Sequence, residues 1–281
     1  MTEQRTLGPR TLLACFAHPD DETYTVGGTL AHYANQDTRV VLISATLGEA
    51  GETGGLTTRK ELPKVREEEL RCAARRLGVN HLVLLGYHDS GMQGSPENDS
   101  PRALINADRQ EVIRQLVGVI RHMRPLVVIT FEPNGGYGHP DHKFISELTV
   151  AAFHAAADPE RYLEQGPPWQ PARLFFTSLT PSFFRKLKQL LEVHGLDSSQ
   201  AEQYIDQSWP DEQVNTLLDV SQDVEAKWAA FQCYRTQMQT MKLFYSLPEE
   251  EMKQLLNREY FQLIWPEPKS GQRLNDLFEG L

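Results

Sequence analysis

The sequence has little cysteine. Its 281 residues include three, Cys15, Cys72 and Cys233, which are widely spaced and form no C-x-x-C pair. An odd number at this spacing argues against a disulfide framework or a thiolate metal site. We therefore expect three small core residues without a disulfide, and a protein of a reducing compartment, the cytoplasm.

Excess positive charge and long apolar runs are also missing. The chain carries 28 Lys and Arg against 38 Asp and Glu, a net charge of −10, which repels nucleic-acid phosphates and anionic membrane surfaces. No apolar run approaches the roughly 20 residues that cross a bilayer. The first ten residues, MTEQRTLGPR, lack the apolar stretch of a signal peptide. We expect a small-molecule ligand, with no nucleic-acid or membrane partner.

The first half of the chain alternates short apolar runs with longer helical patterns. The predicted elements are strands over 11–17, 39–46, 81–86 and 126–131, and helices over 23–35, 60–77, 107–123 and up to about 157. Nearly continuous apolar strands are typical of a sheet covered on both faces. Strand–helix–strand repetition indicates right-handed crossovers. The sequence therefore predicts a Rossmann-like α/β fold, with a mostly parallel sheet and helices on both faces.

The second half of the chain is less regular. We expect one domain over 1–281, with a core over 11–150 and a C-terminal elaboration over 158–281. The elaboration contains, in chain order, a predicted strand over 172–179, helices near 181–194 and 221–238, and a surface-lying tail from Ser246. The sequence leaves the oligomeric state open, a homo-oligomer included.

Two long polar loops, 48–59 and 88–106, follow predicted strands. In open α/β sheets, ligands bind in the crevice beyond the carboxyl ends of the strands. Both loops leave from those ends, so we expect them to form walls or a lid of a binding site.

The motif A-H-P-D-D-E, residues 17–22, follows the first predicted strand directly. A histidine and two adjacent carboxylates are costly at a strand end unless they are paired or bound to metal. Pro19 suits the first turn of a helix. That turn would bring His18 and Asp21 to one side and leave Asp20 pointing elsewhere. One acid can then bind a metal with His18, and the other can stand beside the metal's water.

A second motif, G-G-Y-G-H-P-D-H over 135–142, follows the fourth predicted strand. If adjacent strands place the two loops side by side, His18, Asp21 and His142 provide three nitrogen and oxygen ligands. Three such ligands with an open fourth position are typical of catalytic zinc. The same ligands would also admit Fe²⁺, Co²⁺ or Mn²⁺. The H-E-x-x-H and P-C-x-x-C signatures of other zinc enzymes are absent.

Together the two motifs resemble those of the GlcNAc-phosphatidylinositol de-N-acetylase family, also called LmbE-like (PIG-L). The resemblance covers about residues 11–150, with a weaker similarity at 227–237. It implies a Rossmann-like zinc hydrolase that removes the acetyl group from an N-acetylglucosaminyl conjugate, a small N-acetylated sugar-like molecule.

The resemblance also implies roles for individual residues. The family's zinc ligands are matched by His18, Asp21 and His142. Its general base is matched by Asp20, and its histidine that stabilises the tetrahedral intermediate is matched by His139. Asp141 matches the carboxylate that orients that histidine, and Tyr137 matches the active-site tyrosine. Its substrate-binding positions are matched by Arg66 and Asp89. On this basis His139 is expected to act protonated, held so by Asp141.

Other functions remain open from the sequence. A Mg²⁺-dependent phosphoryl-transfer or receiver-like protein could use Asp20 and Asp21, although Mg²⁺ prefers oxygen ligands and no P-loop is present. A sugar-binding protein without turnover could keep the fold. Within the family, the chain could be an amidase of a larger thiol conjugate.

Overall fold

The computed structural model describes residues 10–177 and 179–281. Residues 1–9, which belong to the segment without signal-peptide character, and Ser178, at the end of a predicted strand, lie outside the described residues.

The described strands form one sheet. In chain order they are β1 (Thr11–Phe16), β2 (Arg39–Ser44), β3 (His81–Leu84), β4 (Val127–Phe131), β5 (Arg173–Thr177), β6 (Thr216–Asp219) and β7 (Arg258–Trp265). Their order across the sheet is β3-β2-β1-β4-β5-β7-β6. The first five strands of this order are parallel, and β7 pairs antiparallel with both of its neighbours.

Helices connect and cover these strands. They are α1 (Asp21–Ala34), α2 (Leu62–Arg76), α3 (Arg109–Met123), α4 (Pro140–Ala155), α5 (Pro181–Val193), α6 (Ser199–Gln207), α7 (Val224–Phe231), α8 (Lys242–Tyr245) and α9 (Glu249–Leu256). Helices α1 and α2 pack against α7, whereas α3 packs against α4. The predicted α/β class with a mostly parallel sheet is confirmed.

The sheet order places a ligand crevice between β1 and β4. The chain runs from β1 outwards through β2 to β3, then crosses back to β4 on the other side of β1. Loops that leave β1 and β4 at their carboxyl ends therefore diverge and leave a gap, the topological switch point at which such sheets bind ligands. Both histidine-containing motifs lie in these two loops.

The predicted surface-lying tail is wrong. Residues 258–265 form β7, which lies inside the sheet between β5 and β6, with alternate side chains such as Phe261 and Leu263 buried. Prolines suggested a tail, but they lie outside β7 and do not interrupt its period of two. Strand β6 and helix α6 were not predicted, and the helix expected over 221–238 ends at Phe231. A single domain over 1–281 stays a prediction.

The expectation of three cysteines without a disulfide is wrong for two of them. Cys72 on α2 and Cys233, just after α7, form a disulfide with their Cα atoms 5.8 Å apart. Their separation of 161 residues in the chain is bridged because α2 packs against α7. Cys15 is a buried free thiol, as expected, and burial raises its pKa to about 12. Cysteine usage therefore no longer supports a reducing compartment.

In the part of the chain that the structure describes, no helix combines the length and the apolar character that crossing a membrane requires.

Candidate active site

The first motif forms a tight connection between β1 and α1. The backbone N–H of His18 donates to Asp21 Oδ2 at 2.7 Å, which fixes these two side chains next to each other. Asp20 is the N-cap of α1 and has a φ of 107°, a backbone conformation that is costly for a residue with a side chain. Pro19 precedes the helix instead of lying in its first turn, because α1 begins at Asp21.

The second motif forms the start of α4. Pro140 is the first helical residue, and His139 is the N-cap, whose Nδ1 accepts a hydrogen bond from the backbone N–H of Asp141 at 3.2 Å. One turn later, His142 stacks on Phe131 with their rings parallel and 4.1 Å apart. The helix therefore presents two histidines to the crevice from a rigid first turn.

The three predicted metal ligands lie together. His18 Nδ1 is 3.1 Å from His142 Nε2 and 3.5 Å from Asp21 Oδ2, and His142 Nε2 is 3.2 Å from Asp21 Oδ1. Ligand atoms about 2.0–2.1 Å from a tetrahedral zinc ion lie roughly 3.3–3.4 Å from one another. Asp21 approaches the two histidines through different oxygens, and all three side chains lie close enough to hold one metal ion. Two other groups of described donors also lie within 4.8 Å of one another: His18 with His139 and His142, and His18 with Asp89 and Asp141.

Outer contacts fix the orientation of both imidazoles. His142 Nδ1 lies 3.1 Å from the carbonyl oxygen of Gly135, so Nδ1 carries the proton and the lone pair of Nε2 faces the other ligands. His18 Nε2 lies 3.2 Å from Asp141 Oδ2 and 3.4 Å from Asp89 Oδ1, which leaves Nδ1 for the metal. Such carboxylate and carbonyl partners are usual behind metal-binding histidines.

Several carboxylates surround His18. Burial alone would lower the pKa of His18, but Asp89, Asp141 and Asp21 hold it well above its ordinary value. Burial alone would raise the pKa of Asp21, but His142 and His18 bring it below its ordinary value. The carboxylates that favour a positive charge on His18 also favour a bound cation.

Asp20 is buried beside this cluster and forms an ion pair with Arg66. Arg66 Nη2 lies 3.0 Å from Asp20 Oδ2 and also donates to the carbonyl oxygen of Pro19, while Nη1 donates to that of Gly48. Burial raises the pKa of Asp20 well above its ordinary value, although the charge of Arg66 opposes this shift. Arg66 thus contacts the predicted base directly. Its predicted contact with substrate stays a prediction.

The expected pairing of Asp141 with His139 is wrong. The Asp141 carboxylate points to His18 and also accepts from the backbone N–H of Ser90 at 2.8 Å, because its position in the first turn of α4 directs it under the β1 loop. The carboxylate that faces His139 Nε2 is Asp89, at 4.0 Å. Burial and the neighbouring histidines lower the pKa of His139 to about 2. Its predicted protonated role stays a prediction.

The described residues around these side chains enclose a pocket of about 390 Å³. Both polar loops contribute to its walls, the first through 50–52 and the second through Asp89, Gly91 and Met92. Tyr137 lies at the wall with 44% of its surface exposed. The far side comes from the C-terminal half and includes Phe184, Gln200, Tyr204, Gln207, Gln237, Thr240 and Phe244.

Sequence reasoning missed the contacts behind the base. Glu22 Oε2 accepts from the backbone N–H of Asp20 at 3.2 Å, and Glu22 Oε1 accepts from the hydroxyl of Tyr234 at 2.5 Å. Burial raises the pKa of Glu22 to about 7. The weak similarity at 227–237 was the available signal, because Tyr234 and Gln237 lie in that segment.

A match to a family sequence model identifies the family of this chain. The family sequence model described as PIG-L, GlcNAc-PI de-N-acetylase, matches residues 13–153. The chain belongs to this family. The predicted membership is therefore confirmed, and the matched region contains the β1 and β4 motifs that carry the predicted metal ligands.

Relatives and solved structures agree with this assignment. The chain is 37% identical over 290 residues to a 1D-myo-inositol 2-acetamido-2-deoxy-alpha-D-glucopyranoside deacetylase of Geodermatophilus obscurus, covering 97% of this chain and 98% of that protein. It resembles the N,N'-diacetylchitobiose deacetylase of Pyrococcus horikoshii with a TM-score of 0.63 and 19% identity, covering 91% and 84% of the two chains. A 4-carboxy-2-hydroxymuconate hydratase of Pseudomonas putida shares the fold with a TM-score of 0.64 and 20% identity, covering 92% and 98%.

Proposed function

We propose that this chain is a metal-dependent deacetylase that hydrolyses the acetamide of an N-acetylglucosaminyl–inositol conjugate. The observation that carries the proposal is the cluster of His18, Asp21 and His142 donor atoms, 3.1–3.5 Å apart, beside the buried carboxylate of Asp20. The relative in Geodermatophilus obscurus bears the name of a deacetylase for such a conjugate, and it aligns over nearly the whole chain.

The metal proposed is zinc, with Fe²⁺, Co²⁺ and Mn²⁺ compatible with the same nitrogen and oxygen donors. A divalent metal ion bound there would supply Lewis acidity, which polarises the acetyl carbonyl and lowers the pKa of water. His18, Asp21 and His142 would hold it, and Asp141 and Gly135 would keep the two imidazoles correctly oriented.

Asp20 is proposed as the general base. It would take the proton of the water that attacks the acetyl carbonyl carbon, forming the new C–O bond. Its raised pKa supports this role, because a base is most effective when its pKa approaches the working pH. Arg66 would position the carboxylate through the contact at 3.0 Å.

His139 is proposed as the donor to the oxygen that becomes negatively charged. Its Nδ1 already accepts from the backbone of Asp141, so in the neutral imidazole the proton lies on Nε2. An N–H donor that is in place before reaction stabilises an oxyanion without reorganisation. Asp20, protonated in the first step, would then give its proton to the amine as the C–N bond breaks.

The volume and composition of the pocket support a sugar conjugate. A pocket of about 390 Å³ falls within the roughly 300–1,000 Å³ of small-molecule sites. Arg66 is the one lysine or arginine among the described residues that line it, and three acceptors already engage it. These walls therefore favour an uncharged aglycone such as inositol over a carboxylate such as malate.

Release of free amine from matched conjugates tests the proposal. Purified protein with zinc should deacetylate N-acetylglucosaminyl-inositol with a higher kcat/KM than N-acetylglucosaminyl-malate or diacetylchitobiose. Preference for the malate conjugate would contradict the substrate assignment. Turnover of a larger thiol conjugate without deacetylation would favour an amidase. Binding without release of amine from any substrate would favour a sugar-binding protein.

A further inference from the structure

Gln237 is a buried pocket residue that the proposed mechanism does not use. Only 2% of the surface of Gln237 is exposed, and Gln237 belongs to the lining of the pocket. Its Nε2 donates to the backbone carbonyl oxygen of Glu52 at 2.7 Å and to Thr236 Oγ1 at 2.9 Å. Both amide hydrogens are therefore engaged by the protein.

The orientation of this amide is determined by its neighbours. The carbonyl oxygen of Glu52 can only accept. Thr236 Oγ1 donates its single proton to Glu69 Oε2 at 2.6 Å, so towards Gln237 it can also only accept. A flipped amide would place Oε1 against two acceptors. Oε1 is therefore held on the opposite side from Glu52 and Thr236.

Gln237 Oε1 accepts no hydrogen bond from residues 10–177 or 179–281. It is not one of the fully enclosed polar atoms that lack a partner, so its remaining accessible surface is in the pocket. A carbonyl oxygen held in this way requires a donor from a ligand or from water.

The surroundings of Oε1 place it near the reacting group. A Cβ built on Gly51 would lie 3.1 Å from Gln237 Oε1 and 2.5 Å from Arg66 Nη1. Arg66 in turn contacts Asp20. Oε1 is thus separated from the proposed base by Gly51 and one guanidinium group. The acetamide must lie beside Asp20, so the ring that carries the acetamide is the part of the substrate nearest to Oε1.

We infer that Gln237 is a specificity-determining residue, whose Oε1 accepts a hydrogen bond from one ring hydroxyl of the N-acetylglucosaminyl group. The inference rests on the proposed function, because it takes that sugar as the substrate. Glu52, Thr236 and Glu69 hold the acceptor in place before the substrate binds. Such preorganisation makes a missing hydroxyl costly, since the buried acceptor is then left without a donor.

The test uses N-acetylglucosaminyl-inositol and its 3-, 4- and 6-deoxy derivatives with wild-type protein and Gln237→Met. In the wild type, one deoxy derivative should lose roughly tenfold to hundredfold in kcat/KM. Gln237→Met should lose a similar factor in kcat/KM on the parent substrate. On that deoxy derivative its kcat/KM should fall only slightly below its value on the parent substrate. Gln36→Met, an exposed glutamine outside the pocket, is the matched control.

Each outcome decides the inference. Equal kcat/KM of wild-type protein on all four substrates would overturn it without reference to any variant. An equal loss by Gln237→Met on all four, with thermal unfolding as in the control, would overturn it too. Absence of turnover by the wild type on all four would instead overturn the proposed function, and the inference with it.

Discussion

Asp20 and Asp21 are neighbours in the chain, but their side chains have opposite surroundings. Asp21 faces His18 and His142, which bring its pKa below the ordinary value despite burial. Asp20 is turned away from them by its φ of 107°, and burial raises its pKa in spite of Arg66. A carboxylate that stays ionised suits a metal ligand, and one that exchanges a proton suits a base. The backbone at Asp20 thus separates two roles within one dipeptide.

Substitution of each aspartate by asparagine should separate these roles. Asp20→Asn keeps the shape but loses the basicity, so bound metal should remain while kcat falls by about 10²–10⁴-fold. Asp21→Asn should lose metal and activity together. Metal content by elemental analysis, beside turnover, checks both. Loss of metal from Asp20→Asn but not from Asp21→Asn would mean that the two roles are reversed.

The pH dependence of kcat/KM should show an acid limb from Asp20. Its carboxyl must be ionised to act as a base, so activity falls as pH drops through its pKa, which burial places above the ordinary value of about 3.9. The Arg66 charge lowers that pKa. Arg66→Met should therefore move the limb to higher pH, and an unchanged limb would show that Arg66 does not act on the base.

At this scale the sequence predicted which residues meet, but not every contact. The spacing of His18 and Asp21 and the H-P-D-H motif correctly predicted that His18, Asp21 and His142 lie side by side, because both motifs start at strand ends. Metal binding by these residues stays a prediction. The hydrogen-bond partner of the Asp141 carboxylate could not be predicted from motif spacing. It depends on how α4 is set against the β1 loop, and this directs the carboxylate to His18 instead of His139.

Among the elements, the parallel strands were predictable and the antiparallel ones were not. Strands β1, β2 and β4 are continuous apolar runs, buried on both faces. Strand β7 alternates buried and partly exposed side chains, and its place between β5 and β6 depends on partners far away in the chain. Helix α6 is short, and most of its residues are exposed.

The Cys72–Cys233 disulfide should stabilise the packing of α2 against the segment after α7. It closes a loop of 161 residues, and loss of a native disulfide typically costs about 2–5 kcal/mol. Reductant should therefore lower the thermal midpoint of the wild type. The Cys72→Ser/Cys233→Ser double variant is the control, because its midpoint should be low already and insensitive to reductant. A wild type unaffected under fully reducing conditions would contradict this expectation.

A buried ion pair links α7 to β7, and its carboxylate also accepts from the backbone of α1. Lys227 Nζ lies 2.6 Å from Glu259 Oε1, and Glu259 also accepts from the backbone N–H groups of Gly28 and Thr29. Lys227→Met leaves the carboxylate without its cation, which should cost about 3–5 kcal/mol of unfolding free energy. Lys188→Met breaks the exposed pair with Glu202 and should cost at most about 1 kcal/mol. Denaturant unfolding of both variants compares them, and equal losses would show that burial of the first pair is unimportant.

For the whole molecule, the fold positions the site but does not specify its chemistry. A hydratase and a deacetylase both share this fold with the chain at about a fifth of sequence identity. The proposed function depends instead on the predicted metal ligands and the proposed base at the β1–β4 crevice.

Acetate release before and after metal removal tests the central claim most directly. Chelated wild-type protein should release no acetate from N-acetylglucosaminyl-inositol and should recover activity at one zinc ion per chain. His142→Ala, treated in the same way, should bind no zinc at this site and recover no activity. Acetate release by the metal-free protein, or full recovery by His142→Ala, would contradict the account.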